Sequence, residues 1–167
     1  MNFPLLPALM ADCVTDLSPA DLRQNGIRLL MLDFDNTIVP YTTDIPSDAV
    51  AQWLEQMKAS DIALCVVSNS RKPRVKQFCE KYGIDCITRA KKPFSRGIRQ
   101  CLEKYGFSPD ECALAGDQIY TDTLGANCAG VRSILVRAIH NHTIWLKLRH
   151  VAEMPFILIA RNRRISK

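Results

Sequence analysis

The chain has 167 residues, of which 47% are hydrophobic and 23% charged, and its formal net charge is +5. This composition excludes a disordered or fibrous protein, and the length suits one domain. Residues 1–10 are apolar but lack the basic flank of a signal peptide, and no stretch has the roughly 20 apolar residues of a membrane-spanning helix. We therefore expect a single domain over residues 1–167, located in the cytoplasm and without a transmembrane segment.

A short helix is the first predicted element. Ser18 is a typical N-cap residue, Pro19 follows it at the first helical position, and Asp21 supplies an acid in the first turn. The pattern ends near Gly26, directly before an apolar run. We expect this helix to pack against the first strand and to carry no chemistry.

Short apolar runs then alternate with amphipathic helical patterns as far as residue 136. The runs are Ile27–Leu32, Ile62–Val67, Cys86–Thr88, Cys112–Ala115 and Ser133–Val136. Between them, apolar side chains recur at the spacing of one buried helical stripe, as in Val50, Trp53, Leu54 and Met57. Apolar strands joined by crossover helices predict a mostly parallel sheet with helices on both faces. The expected fold class is α/β, a three-layer α/β/α sandwich with a Rossmann-like sheet and a core at about residues 27–136.

Polar clusters follow four of the predicted strands. They are Asp33–Thr37, Ser68–Ser70, Lys91–Pro93, and Gly116–Gln118 with Thr121 and Asp122 close behind. Each cluster alone has a plain structural explanation, because an Asp after a strand commonly caps a helix and Lys-Pro is usually a turn. In a doubly wound sheet, however, ligands bind beyond the carboxyl ends of the strands. Clusters at four strand ends therefore predict one shared binding site.

The residue types at this edge suit the chemistry of phosphate esters. The carboxylates of Asp33 and Asp117 and the backbone carbonyl of Asp35 are oxygen ligands of the kind that Mg²⁺ prefers. The Ser68 hydroxyl and a lysine cation can hold phosphate oxygens. An ionised Asp33 needs no base to attack phosphorus, and Asp35 can protonate the departing oxygen and later deprotonate water.

These clusters resemble the four motifs of the haloacid dehalogenase (HAD) superfamily. The residues concerned are Asp33-Phe34-Asp35-Asn36-Thr37, Ser68, Lys92-Pro93 and Gly116-Asp117-Gln118-Ile119-Tyr120-Thr121-Asp122. Within the superfamily they are similar to the IIIA-type phosphatases of the YqeG family, over residues from about 27 to 136. The resemblance implies a Mg²⁺-dependent phosphomonoester hydrolase that works through an aspartyl-phosphate intermediate.

The resemblance also implies a role for each residue. Asp33 is the nucleophile and Asp35 the acid/base; Ser68, Asn69 and Lys92 bind the substrate phosphate; Asp33, Asp35 and Asp117 bind the metal; Thr37 and Asp122 support them. We select Lys92 over the neighbouring Lys91 because the family's lysine directly precedes a proline.

The spacing of the motifs bears on the substrate. Residues 38–67 and 69–91 have room for one helix and one strand each, so neither can hold the cap domain of many HAD enzymes. The open site suits a phosphate carried on a large molecule. The YqeG branch resembles phosphatases of phosphatidylglycerophosphate, which makes a lipid phosphate the candidate substrate.

The C-terminal segment, residues 137–167, carries the basic excess of the chain. Its basic residues are Arg137, Lys147, Arg149, Arg161, Arg163, Arg164 and Lys167, against the single acid Glu153. A basic, apolar segment of this kind can lie on an anionic membrane, so we expect peripheral membrane contact as one interpretation. A packed final helix with a solvated terminus is the plainer one.

Two other functions stay open at this point. The basic tail also fits a nucleic-acid-processing phosphatase or a ribosome-associated protein. A signalling receiver domain, which is phosphorylated on an Asp, has the same architecture. Receivers carry the acceptor Asp on a middle strand of the sheet, whereas Asp33 and Asp35 follow the first strand of the predicted core. The sequence alone does not give the physiological substrate, the oligomeric state or the pathway.

Overall fold

The computed structural model describes residues 4–139 and 144–160, and in the second range the side chains from residue 152 onward. The strands are β1 (Leu9–Ala11), β2 (Leu29–Leu32), β3 (Ala63–Val67), β4 (Asp85–Ile87), β5 (Cys112–Gly116) and β6 (Arg132–Val136). The helices are α1 (Pro19–Gln24), α2 (Asp48–Lys58), α3 (Arg74–Tyr82), α4 (Arg96–Tyr105), α5 (Leu124–Ala129) and α6 (Ile144–Ala160). A π-helical turn, Ile119–Thr123, runs directly into α5.

The six strands form one sheet in the order β1-β6-β5-β2-β3-β4, and every neighbouring pair is parallel. The predicted α/β fold class is confirmed. At the centre, Leu32 of β2 is level with Ala115 of β5 and with Val66 of β3. The residues that follow these three strands therefore emerge side by side at one edge of the sheet.

Alternation of side chains along the strands divides the core between two faces. On one face, Leu30 and Leu32 belong to the same buried cluster as Trp53 of α2 and Phe78 of α3. On the other face, the intervening strand residues cluster with Ile98 of α4 and with α5. The predicted apolar stripe of α2 is buried as expected. Helices thus cover both faces, which gives the three layers.

The predicted first helix is confirmed as α1. The Ser18 hydroxyl accepts the Asp21 backbone N–H at 3.1 Å, and Pro19 opens the helix. In the described part of the chain, α2 alone lies between β2 and β3, and α3 alone between β3 and β4. Neither segment holds an additional domain, in agreement with the prediction of a capless fold.

The sheet extends further toward the N-terminus than the predicted core. Strand β1 pairs in parallel with β6, Leu9 being level with Ile134, although it precedes residue 27. The described part of α6 packs at the same side of the sheet, where Ala160 joins Met10 and Leu135 in a small apolar cluster. The described helices include none with the combination of length and apolarity that crossing a bilayer demands.

Candidate active site

The sheet register brings the first and last motifs together. Asp33 follows β2 directly, and its backbone N–H donates to the Ala115 carbonyl of β5 at 2.8 Å. Asp117 follows β5, so the two aspartates leave neighbouring strands at the same level. The Ser68 turn leaves β3 on the other side of β2, where the Ser68 N–H donates to the Ile87 carbonyl at 2.9 Å. Parallel pairing therefore positions three of the four clusters.

A buried ion-pair network forms the centre of this edge. The Lys92 ammonium donates to Asp33 Oδ1 and to Asp122 Oδ1, each at 2.6 Å. The exposed fractions of the three side chains are 1% for Lys92, 10% for Asp33 and 2% for Asp122. Because low dielectric strengthens such contacts and penalises an unpaired charge, these side chains are expected to hold one another in place.

Burial shifts the pKa values of Asp33 and Lys92 in opposite directions. It raises the pKa of Asp33 to about 6, although the Lys92 cation pulls that pKa down. Burial alone would lower the pKa of Lys92, but the adjacent carboxylates of Asp122 and Asp33 outweigh it and the pKa rises. The carboxylates therefore keep Lys92 protonated, and the Lys92 cation in turn favours the ionised form of Asp33 against the effect of burial.

Asp122 is fixed by two hydrogen bonds and by a close backbone approach. Its Oδ1 accepts from Lys92, and its Oδ2 accepts the Gln118 backbone N–H at 3.1 Å. A Cβ atom added at Gly116 would overlap the Asp122 side chain, so the glycine is needed to let this carboxylate approach. The arrangement suits the supporting role assigned to Asp122, because both its oxygens are already engaged.

Three carboxylates lie close enough to share a cation. Asp33, Asp117 and Asp122 are buried, and each can offer one oxygen such that all three atoms lie within 4.8 Å of one another. Hard oxygen donors on a buried carboxylate cluster fit Mg²⁺, which usually keeps water and substrate oxygens as its other ligands. The site residues therefore fit the predicted metal, and Asp117 is the member that comes from the last motif.

A side chain of the second motif, Asn69, makes hydrogen bonds with the backbone of Lys92. The Asn69 amide donates to the Lys92 carbonyl at 2.9 Å, and the Asn69 side-chain carbonyl accepts the Lys92 N–H at 2.6 Å. The Ser68 hydroxyl, 1% exposed as a residue, accepts the Ser70 N–H at 3.1 Å, which leaves its O–H proton for another acceptor. The Asn69 side chain thus positions the lysine, and a direct contact of Asn69 with phosphate stays a prediction.

Asp35 lies apart from the carboxylate cluster and pairs with an arginine. Arg74, at the start of α3, donates from Nη2 to Asp35 Oδ1 and from Nη1 to Asp44 Oδ1, the latter at 2.8 Å. The same guanidinium reaches the backbone carbonyls of Tyr41 and Thr43. Its carbon lies 5.2 Å from the centroid of the buried Phe34 ring. Asp35 is therefore held by the Arg74 guanidinium, whereas Asp33 is held by the Lys92 ammonium.

Arg74, which contacts Asp35, is a residue of this edge that the sequence pattern did not single out. It is one of several basic residues in the segment 71–76, and nothing in the local pattern separates it from its exposed neighbours. The other lysine of the third motif, Lys91, is exposed, whereas Lys92 reaches the carboxylates. Thr37 is 3% exposed, and its hydroxyl has no hydrogen-bond partner among the described residues.

Comparison with known proteins identifies the family. The family model of the haloacid dehalogenase-like hydrolases matches residues 21–130. The chain belongs to that hydrolase family. A relative in Bacillus subtilis (strain 168), "Probable phosphatase YqeG", is 31% identical over 131 residues, which are 78% of this chain and 76% of the relative. The predictions of the HAD superfamily, of its YqeG branch and of a HAD-type phosphatase are thus confirmed.

Solved structures share the fold of this chain at low sequence identity. An uncharacterized protein from Listeria monocytogenes serotype 4b superposes with a TM-score of 0.57 at 17% identity, covering 71% of this chain and 84% of its own. The cobalt-bound deoxy-D-mannose-octulosonate 8-phosphate phosphatase from Haemophilus influenzae gives 0.56 at 12% identity, covering 84% and 92%. These likenesses concern the fold of the HAD domain.

Proposed function

We propose that this HAD phosphatase hydrolyses phosphomonoesters with Mg²⁺ through an aspartyl-phosphate on Asp33. One observation carries the proposal: the Asp33 carboxylate is 2.6 Å from the Lys92 ammonium and clusters with Asp117 and Asp122 at the carboxyl edge of the sheet. A carboxylate nucleophile needs its charge screened as it meets a phosphate dianion. A buried lysine and a cation-binding cluster beside Asp33 can supply that screening.

The proposed reaction has two steps. In the first, an Asp33 oxygen attacks phosphorus, the bond from phosphorus to the ester oxygen breaks, and Asp35 gives that oxygen a proton. In the second, Asp35 takes a proton from water, the water oxygen attacks phosphorus, and the bond to Asp33 breaks. Inorganic phosphate leaves and Asp33 is restored. The position of Asp35 two residues after Asp33, at the same edge of the sheet but outside the buried cluster, supports the proton-transfer role that we propose for it.

Different groups around Asp33 would hold the metal and the phosphate. Asp33, Asp117 and the backbone carbonyl of Asp35 would hold Mg²⁺, which supplies charge neutralisation to the phosphoryl oxygens. The Ser68 hydroxyl, the Lys92 ammonium and the backbone N–H of Asn69 would hold the phosphate. Asp122 and Thr37 would support this arrangement, Asp122 by fixing the Lys92 ammonium at 2.6 Å. The Haemophilus influenzae phosphatase that shares this fold has a cobalt-bound form, which is in keeping with a metal-dependent reaction on this fold.

The substrate class that we propose rests on the short connections between the motifs, each of one helix, and on the family branch. We propose a phosphomonoester on a large carrier, with a lipid phosphate such as phosphatidylglycerophosphate as first candidate. Ile45, in the loop after the first motif, and Phe94, directly after Pro93, are apolar residues with exposures of 71% and 73%, and we propose that they contact such a carrier. A cytoplasmic protein with peripheral contact to anionic membrane fits this substrate. The basic residues Arg161, Arg163, Arg164 and Lys167, expected to make that contact, lie outside the described residues.

A nucleic-acid-processing or ribosome-associated role is the second candidate, and the net charge of +5 favours it. Its binding would fall steeply with salt. Membership in a hydrolase family leaves the receiver interpretation without support, since a receiver keeps its phosphoryl group and does not turn over.

A turnover screen tests the proposed function. Lipid, sugar and nucleotide monophosphates are each incubated with the enzyme and Mg²⁺, and released phosphate is measured against Asp33→Asn. The proposal requires turnover of at least one ester class by the wild type and none above background by the variant. A preference for lipid phosphate in vesicles supports the substrate assignment, and a preference for nucleic-acid ends contradicts it.

Membrane contact is tested by charge reversal at Arg161, Arg163 and Arg164. Sedimentation with phosphatidylglycerol vesicles at low salt should show weaker binding, by roughly 1 kcal/mol for each cation removed. The rate on a small aryl phosphate should not change, because these residues are distant in sequence from all four motifs. Equal sedimentation of the variant and the wild type would remove the membrane part of the proposal.

A further inference from the structure

The carboxylate of Glu153, in the C-terminal helix α6, is buried against the segment that follows β5 and contains Asp117 and Asp122. Glu153 of α6 is 2% exposed, and its Oε1 accepts the Ile119 backbone N–H at 3.0 Å. Ile119 is fully buried and lies two residues after Asp117. The hydrogen bond therefore joins a helix 34 positions away in sequence to the loop that carries the proposed metal ligand.

The bonded N–H group is one that the loop cannot satisfy by itself. Ile119 begins the π-helical turn that continues into α5, and the first N–H groups of a helical segment have no partner within it. The Gln118 N–H is taken by Asp122, and the Ile119 N–H by Glu153. Two carboxylates, one local and one from α6, thus cap the turn that contains Asp122 and begins two residues after Asp117. Negative charge at this end also suits the helix dipole.

Further contacts hold α6 against the same turn. The Tyr120 hydroxyl donates to the Ala152 carbonyl at 3.3 Å, and Ile119 shares an apolar cluster with Phe156 and Ala160. Removing a carboxylate from water is costly unless it is hydrogen-bonded. Glu153 is nevertheless buried, although the same helix exposes apolar residues such as Leu158 to solvent. The hydrogen bond that Glu153 accepts from the Ile119 backbone N–H explains why this carboxylate is buried.

We infer that Glu153 is a positioning residue of the active site, which fixes residues 117–122 in the geometry that binds a divalent cation. The inference rests on the proposed function for the identity of the cation. It makes α6 a support of the metal site, because Glu153 adds a hydrogen bond from α6 to the segment that contains both Asp117 and Asp122.

Two measurements on the full chain test this inference. The first is the Mg²⁺ dissociation constant by calorimetry for the wild type, Glu153→Ala and Glu153→Gln. The second is amide hydrogen exchange at residues 117–123 without metal. Outer-sphere partners of metal ligands typically change affinity by about 10- to 100-fold. We expect a loss of that size for Glu153→Ala, and a smaller loss for Glu153→Gln, which keeps the accepting oxygen.

Matched variants separate positioning from simple helix packing. Met154→Ala removes a 37% exposed side chain from the next position of α6 and should leave both measurements unchanged. Tyr120→Phe removes the hydrogen bond to Ala152 and should accelerate exchange moderately. If Glu153→Ala does not fold, Glu153→Gln and Tyr120→Phe carry the test.

The outcomes distinguish this inference from the proposed function. Weaker Mg²⁺ binding together with faster exchange at 117–123 supports the inference. An unchanged dissociation constant in folded Glu153→Ala overturns it, because Glu153 would then only anchor α6. If the wild type binds no Mg²⁺, the metal part of the proposed function is wrong, and exchange alone decides whether Glu153 caps the turn.

Discussion

Asp33 and Asp35 are separated by one residue, yet they occupy two different regions of the active site. Asp33 is buried beside the Lys92 ammonium and groups with two further carboxylates. Asp35 is 20% exposed and pairs with Arg74, whose other acidic partner, Asp44, is 53% exposed. We refer to the first region as the buried cluster and to the second as the rim. Because different environments can give two acids different pKa values, two neighbouring acids can take different chemical roles.

The backbone between the two acids explains the separation. Asp33 still belongs to the sheet ladder through its N–H, whereas Asn36 already has a left-handed conformation with φ of 66°. Phe34, between the acids, is fully buried and packs edge-on against Phe78 at 5.2 Å. This ring anchors the start of the loop while the chain turns away from the sheet. The end of the strand thus fixes Asp33, the proposed nucleophile, and the loop after it presents Asp35, the proposed proton-transfer group.

The largest expected effect is in the buried cluster, at the nucleophile. Asp33→Asn keeps the shape of the side chain but removes the attacking anion, so turnover of an aryl phosphate should fall by about 10⁴-fold or more. Circular dichroism should show an unchanged fold. Asp110→Asn, an exposed acid before β5 at the opposite edge, is the matched control and should keep full activity. Retention of a tenth of the wild-type rate by Asp33→Asn would disprove its role.

The next effect concerns the metal, also in the buried cluster. Excess chelator should abolish turnover, and added Mg²⁺ should restore it. Asp117→Asn should raise the Mg²⁺ concentration needed for half-maximal rate and lower the rate itself by about 10²-fold, equivalent to about 3 kcal/mol of lost transition-state stabilisation. The titration of rate against Mg²⁺ measures both. Full activity in chelator would show that the cluster works without a cation.

At the rim, the size of the effect should depend on the substrate. Asp35→Asn removes the proton donor, so hydrolysis of alkyl phosphates should fall by about 10²- to 10⁴-fold. Aryl phosphates should lose much less in the first step, because a phenolate departs without a proton. Rates for a series of esters with leaving groups of graded acidity test this. Equal losses across the series would contradict the assignment of Asp35 as general acid.

The smallest expected effect is at Arg74, which touches Asp35 and not the buried cluster. Arg74→Met should slow alkyl phosphate hydrolysis by about 10-fold, since a loosely held acid meets the leaving group less often. The loss should disappear in the Asp35→Asn background, which a double-mutant cycle measures. Asp44→Asn is the control, because it removes another partner of Arg74 and leaves the contact with Asp35. Additive losses in the cycle would mean that Arg74 acts independently of Asp35.

The two regions also differ in how far the sequence predicts them. The buried cluster follows from strand ends, because parallel register makes Asp33 and Asp117 neighbours once β2 and β5 pair. The contact of Arg74 with Asp35 spans 39 positions and joins a loop to a helix, so no local pattern reveals it. The fold as a whole follows from apolar periodicity and crossover rules, which hold for every central strand.

Two elements outside the predicted core depend on tertiary contacts. Strand β1 has three residues in an apolar segment without alternation, and its pairing with β6 decides its structure. Glu153 left a signal in the sequence as the single acid of the basic C-terminal segment, but its partner is a backbone N–H that only the fold brings near. Such long-range partners are invisible to periodicity.

The most direct test of the account is to trap the phosphoryl group on the enzyme. The wild type and Asp35→Asn are mixed with an aryl phosphate and Mg²⁺, quenched in acid within one turnover, and digested for peptide mass spectrometry. We predict that one phosphoryl group is attached to Asp33, and that it accumulates in Asp35→Asn because water is no longer deprotonated for the second step. A phosphoryl group on another residue, or turnover with none on the enzyme in either protein, would contradict the account.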